Sequence, residues 1–218
     1  MSLGLQVAWQ ATQSMSPGAA ELPPPPRPET LRLASFSEVE AAARVAMIYL
    51  QSFDYGGANT IPYQKLDYSR LIGWLESILA LDPRSDYPLF SASRIYAEVP
   101  DPGRSRRMLE FVYRAFLDDP NRRWPWLAHA ALVAKHQLGD LPLALRYARA
   151  VDQETNNPNV PPWAKQMEIF ILEDMNELEA ARIMISGLLQ SGRVHDPAEI
   201  LFLRQRLQEL EARLGKAE

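Results

Sequence analysis

The chain has no cysteine among its 218 residues, so disulfides, thiolate metal sites and cysteine nucleophiles are excluded. It has three histidines. Two of them, His129 and His136, stand about 10 Å apart along a helix, too far to share one metal ion. No HExxH, GxSxG, phosphate-loop or GxGxxG pattern occurs. No run approaches the roughly 20 apolar residues that cross a bilayer. A basic excess is also missing, and the net charge of −4 argues against nucleic acid as a partner. No segment alternates apolar and polar residues long enough to make a strand. These absences leave no catalytic, cofactor or metal site, and the chain reads as a non-enzyme. Lack of cysteine is compatible with an oxidising compartment such as a bacterial periplasm.

What is abundant is proline. Residues 23–26 are four consecutive prolines in ELPPPPRPET, which favours an extended polyproline II spacer. The same run could dock in an aromatic groove on another protein. Ahead of it, MSLGLQVAWQATQS is mildly apolar, and no charge appears before Glu21. It fits either the tail of a membrane anchor that begins upstream or an ordinary disordered terminus. Residues 1–36 are therefore expected to be a disordered or extended linker, and residues 37–218 the folded domain. The linker and the apolar start point to the periplasmic side of a bacterial inner membrane, with a cytoplasmic location as the alternative.

From Ser37 onward the pattern is helical. Ser37 and Glu40 have capping-box spacing, opening a helix with Ala42, Val45, Ala46 and Tyr49 on its inner face. Further helices are expected over 67–81, 87–99, 102–117, from the tryptophans to Gly139, then 140–154, 162–175, 177–190 and 197–214. Asp101 and Asp196 have the position of N-caps, with Glu199 in the box position of the last helix. The fold class is all-α.

The stops recur. LDP at Pro83, DDP at Pro120 and NNP at Pro158 lie 37 and 38 residues apart, the spacing of stacked helical hairpins. Before them Leu71, Leu75 and Ile78 share one spacing with Met108, Val112 and Ala115, with Ala144, Ala148 and Val151, and with Ala181, Ile185 and Leu188. The opening helices match too. Leu89, Ala92, Ser93 and Tyr96 are spaced like Trp126, His129, Ala130 and Val133, and like Trp163, Gln166, Met167 and Phe170.

This pattern over about residues 37–192 resembles the tetratricopeptide repeat (TPR) family, and GDLPLALRYARAV (139–151) matches it best. The period exceeds the family's 34 residues, the glycine of the first helix is absent, and the first unit carries an insertion, DYGGANTIPYQ. The resemblance implies a right-handed α-solenoid of about four antiparallel helix pairs, with helix 197–214 as its cap. It also implies a groove, lined by the first helices, that receives a protein or peptide partner. The groove positions would be Tyr87, Phe90, Arg94, Trp124, Leu127, Lys135, Lys165 and Glu168. The resulting expectation is a non-catalytic interaction scaffold, tethered to the membrane through its N-terminus. A structural role through self-association, as a homodimer using the last helix, is the alternative.

Other features carry less. In LDDPNRRWPWLAHAA (117–131), Pro120 reads as a stop, Trp126 as a packing residue, and Arg122, Arg123 and Trp124 as surface groups on a connecting turn. The six arginines between residues 101 and 125 face four acids, which suits a solvated face. His129 reads as a core histidine. Asp118–Asp119 and Glu173–Asp174 read as helix-end polar pairs. An enzyme would need Asp54, Tyr55 and Tyr63 to converge in the insertion.

Overall fold

The computed structural model describes residues 21–53, 62–192 and 194–216, and the regular elements among them are all helical. The chain divides into two compact units, Met1–Ser85 and Asp86–Glu218.

In the first unit, helix α1 (Pro28–Ala34) starts on a proline, whose fixed φ and missing N–H suit that position. Helix α2 (Val39–Gln51) follows it. The expected capping box does not form. Ser37 sits at φ 76°, beside Phe36 at φ 49°, and the helix starts after Glu38 with no side-chain cap. The buried face also differs from expectation. Ala43, Ala46, Met47 and Leu50 are buried, whereas Val45 and Tyr49 are exposed. In VEAAARVAMIYL only Glu40 and Arg44 are charged, so the apolar surface extends well beyond the stripe that is buried.

A 3-10 turn (Tyr63–Lys65) leads into helix α3 (Tyr68–Leu81). Asp67 caps it, accepting from the amides of Ser69 at 2.8 Å and Arg70 at 3.3 Å. Leu71, Leu75 and Ile78 of α3 are fully buried.

In the second unit the expected helix over 87–99 is shorter and changes type. Helix α4 (Tyr87–Ser91) continues as a π turn (Ala92–Tyr96), where the Ala97 amide reaches back five residues to the Ala92 carbonyl at 2.9 Å. Leu89, Ala92, Ser93 and Tyr96 still all face the core. Helix α5 (Pro102–Asp118) is capped by Asp101, which accepts from Gly103 at 2.9 Å and Arg104 at 3.0 Å. A single residue, Asp119, joins it to helix α6 (Pro120–His136). Pro120 is thus the first residue of the next helix, where its missing N–H costs nothing. Arg122, Arg123 and the tryptophans lie inside that helix and not on a connecting turn.

Asp140 accepts from the Leu143 amide at 3.0 Å and opens helix α7 (Leu141–Glu154). The helix expected over 162–175 is broken at Gln166, whose ψ of −1° separates α8 (Pro162–Lys165) from α9 (Met167–Asp174). Helices α10 (Leu178–Gln190) and α11 (Pro197–Leu214) follow. Asp196 caps α11 at 2.9 Å from the Ala198 amide, but Glu199 does not complete a box; its carboxylate takes the Gln166 side-chain amide.

Helices adjacent in sequence pack together: α5 on α6, α6 on α7, α9 on α10 and α10 on α11. Helices two apart also meet, α4 with α6 and α7 with α9. The repeated small and branched residues make this possible. Met108, Val112 and Ala115 of α5, Ala144, Ala148 and Val151 of α7, and Ala181 and Ile185 of α10 are all buried.

Candidate functional site

One face of the second unit is joined by aromatic pairs. Phe90 of α4 meets Trp126 of α6 edge-on, with ring centres 5.8 Å apart. Trp124 of α6 meets Trp163 of α8 at 5.9 Å, and Phe170 of α9 meets Phe202 of α11 at 6.2 Å. Trp124 and Trp126 are two residues apart, about 200° around the helix, so a single turn of α6 reaches both neighbours. Each pair is only part-covered. Phe90 is 39% exposed, Trp163 52% and Phe202 47%, leaving apolar surface beside each contact.

Pro125, between the two tryptophans, has no N–H to return to the Asn121 carbonyl four residues back. That carbonyl instead accepts from Asn157 Nδ2 at 3.2 Å. Asn121 Oδ1 further accepts from the amides of Asn156 at 3.0 Å and Asn157 at 2.9 Å. The WPW sequence therefore ties the first turn of α6 to the turn that follows α7.

The helices between these are linked by polar and ring contacts. Tyr113 of α5 stacks on Tyr147 of α7 at 5.4 Å, and the Arg146 guanidinium lies 4.7 and 5.1 Å from the two ring centres. Arg146 also pairs with Glu110, and Arg106 with Asp140. Burial pushes the Tyr147 hydroxyl up to about 12. Burial works against ionisation of Asp140 as well, but the Arg106 guanidinium and the Leu143 amide hold its carboxyl below the ordinary range.

The eight positions expected to line a groove separate into two groups. Phe90 and Arg94 are exposed, and Tyr87, Trp124, Lys135 and Lys165 are half-buried. Leu127 is fully buried and Glu168 nearly so, so neither presents to a partner. Glu168 accepts from Arg149 Nε at 2.6 Å, Lys135 pairs with Asp174, and Lys165 Nζ donates to the Thr155 carbonyl at 3.3 Å. Trp163 and Phe202, absent from that set, are more exposed than most of it. Trp163 had the spacing of a packing residue, and helix 162–175 breaks just after it, which leaves its ring at the rim.

Other residues have roles the sequence did not show. Arg123 is buried; its Nη1 donates to the Ala115 carbonyl at 2.6 Å and lies 3.6 Å from Asp118. Arg122 pairs with Asp119 at 3.6 Å. His129 is half-buried, with Nε2 3.0 Å from the Glu98 carboxylate, and is not a fully packed core histidine. Glu173 is not a solvated helix end. It is buried and accepts from Arg206 at 2.9 and 2.5 Å, with Arg213 at 3.6 Å.

Asp54, Tyr55, Gly56 and Gly57 lie outside the described residues. Among the described residues no group of His, Asp and Glu could hold a metal ion, and no helix is long and apolar enough to cross a membrane. A cleft of about 840 Å³ opens between Asn157, Lys165, Gln166, Leu188 and Glu199, but the side chains of Asn157, Lys165, Gln166 and Glu199 already bond within the protein. Among the described residues the fold is all helical and this face is aromatic. No family model, no curated protein and no solved structure matches the chain.

Proposed function

We propose that residues 86–218 form a TPR-like, right-handed array of antiparallel helix pairs. The array acts as a non-catalytic scaffold, seating an extended segment of a partner protein along the aromatic face of α4, α6, α8 and α11. The observation that carries this reading is the set of three aromatic pairs between alternate helices, each with a part-exposed ring. Aromatic rings offer large contact area for little lost side-chain freedom, and they are enriched where interfaces bind most strongly. Arg94, exposed near Phe90, adds a cation at the edge of the face. In the same reading the chain belongs to the periplasmic side of a bacterial inner membrane, tethered through its N-terminus. Support for that part is the apolar start.

The test is affinity capture with the full chain against a Phe90→Ser/Trp163→Ser variant. A partner retained by the first and lost by the second supports the scaffold.

A second reading, self-association through α11, rests on its own observation. Leu203 and Leu210 are buried, whereas Leu201 is 68% exposed beside Phe202. Light scattering over a wide concentration range decides it, since a strict monomer throughout contradicts self-assembly.

A further inference from the structure

The proline run of the first unit is not a bare spacer: it lies along α3, held at three points. Proline has no N–H, so a polyproline segment offers only carbonyls as backbone polar groups. Arg70 Nη1 donates to the Leu22 carbonyl at 2.7 Å, Trp74 Nε1 to that of Pro23 at 2.9 Å, and Ser77 Oγ to that of Pro26 at 2.7 Å. Residues 70, 74 and 77 fall at helical spacing on one stripe of α3. The segment runs in the same direction as the helix.

Between the donors the helix makes room for a ring. A Cβ on Gly73 would lie 2.7 Å from Pro25 Cγ, closer than carbon atoms sit, and 3.2 Å from Pro25 Cβ, a tight contact. Glycine weakens a helix interior relative to alanine, so its presence here fits a socket for that ring. Leu22 is fully buried at one end, and Trp74, itself buried, packs 5.4 Å from Tyr49. Pro24 and Pro25 are both exposed, and Pro25 is the one whose ring lies against Gly73. An aromatic N–H and flanking donors that read carbonyls are how polyproline II helices are recognised.

The geometry points to α3 as a polyproline-recognition site. Its resident ligand is the chain's own residues 22–26, and its ligand in trans is a proline-rich protein segment of pattern Leu-Pro-x-Pro-Pro. Leu22 fills the apolar end, Pro25 the Gly73 socket, and x is the outward position of Pro24. The tethered copy competes with any segment arriving from another chain, because tethering gives it a high effective concentration. The site is therefore open only to a ligand that is abundant, or when the cis segment is drawn away.

The experiment uses the full chain with Pro23, Pro25 and Pro26 changed to serine. The probe is a synthetic peptide, ELPPPPRP; binding to every variant is read by titration calorimetry, and the Trp74 indole N–H resonance, assigned by its loss in Trp74→Phe, reports the site wherever Trp74 is present. The substituted chain is expected to bind the peptide saturably, about tenfold or more tighter than wild type, where the cis copy competes. Binding should be lost with Trp74→Phe or Gly73→Ala. It should survive a Pro24→Ala change in the peptide but not Pro25→Ala. A folded substituted chain that ignores millimolar peptide, or that binds equally well with Trp74→Phe, overturns the inference. If the triple change unfolds the protein, Pro25→Ala alone is titrated with the peptide carrying a nitroxide label. Broadening of the Trp74 indole signal then supports the site, and an unaffected signal overturns it.

Discussion

Asn157 donates its side-chain amide to the Asn121 carbonyl at 3.2 Å, the carbonyl that Pro125 leaves without its usual helical partner. With the two amides that Asn121 Oδ1 accepts, this fixes the turn after α7 onto the first turn of α6. Asn121→Ala should cost about 1–3 kcal/mol in denaturant unfolding, since it leaves the part-buried Asn157 amide unpaired. Hydrogen exchange should accelerate at the amides of 156 and 157 before it does in α7.

The close approach of α7 to its neighbours depends on Ala148, which is fully buried. Ala148→Leu should overpack the contact and cost about 1–3 kcal/mol. Gln153→Leu, on an exposed position of the same helix, should stay within about 0.5 kcal/mol. Equal effects in thermal melts would contradict the packing assigned to α7.

Asp140 both caps α7 and pairs with Arg106. Asp140→Asn keeps the shape and removes the charge. The folded carboxyl is held below its ordinary range, with burial opposing and Arg106 and the Leu143 amide prevailing. Its ionised form therefore adds stability above the unfolded value of about 3.9, and that contribution disappears as pH falls through the lower folded value. Wild type should melt above the variant at pH 7, and the gap should close as the pH is lowered through the acid range.

Arg123 and Arg122 should behave differently although they are adjacent. Burial lowers the pKa of the Arg123 guanidinium, which holds the end of α5 through the Ala115 carbonyl. Arg123→Met should cost about 1–3 kcal/mol by leaving that carbonyl unpaired. Arg122→Ala, an exposed pair with Asp119, should cost within about 1 kcal/mol. Similar small changes for both would mean the arginine pair is a surface feature after all.

The helices and their inward residues in the second unit were legible because the signals are local. Asp101 and Asp196 cap where their positions say they should, and the small residues of α5 and α7 keep one spacing. Junctions were less legible. Proline suits both the residue after a helix and the first residue of the next, so Pro120 could be read either way. The break at Gln166 has no glycine or proline to announce it. The face of α2 was misread because its apolar surface extends well beyond the stripe that is buried. The hold of α3 on the proline run joins residues about 50 positions apart, which no local pattern encodes; Gly73 in mid-helix was its one trace in the sequence. The aromatic face was half visible, since Phe90 and Trp124 fall on it while Leu127 and Glu168 turn inward.

The central claim is that this face binds a partner segment. The most direct measurement is quantitative affinity capture from the native source, comparing wild type with Phe90→Ser/Trp163→Ser after both show the same helical circular dichroism. The account predicts a protein enriched by wild type, depleted at least about tenfold by the variant, and protecting α4, α6 and α8 from hydrogen exchange when bound. Capture of the same proteins at the same level by both chains would contradict it.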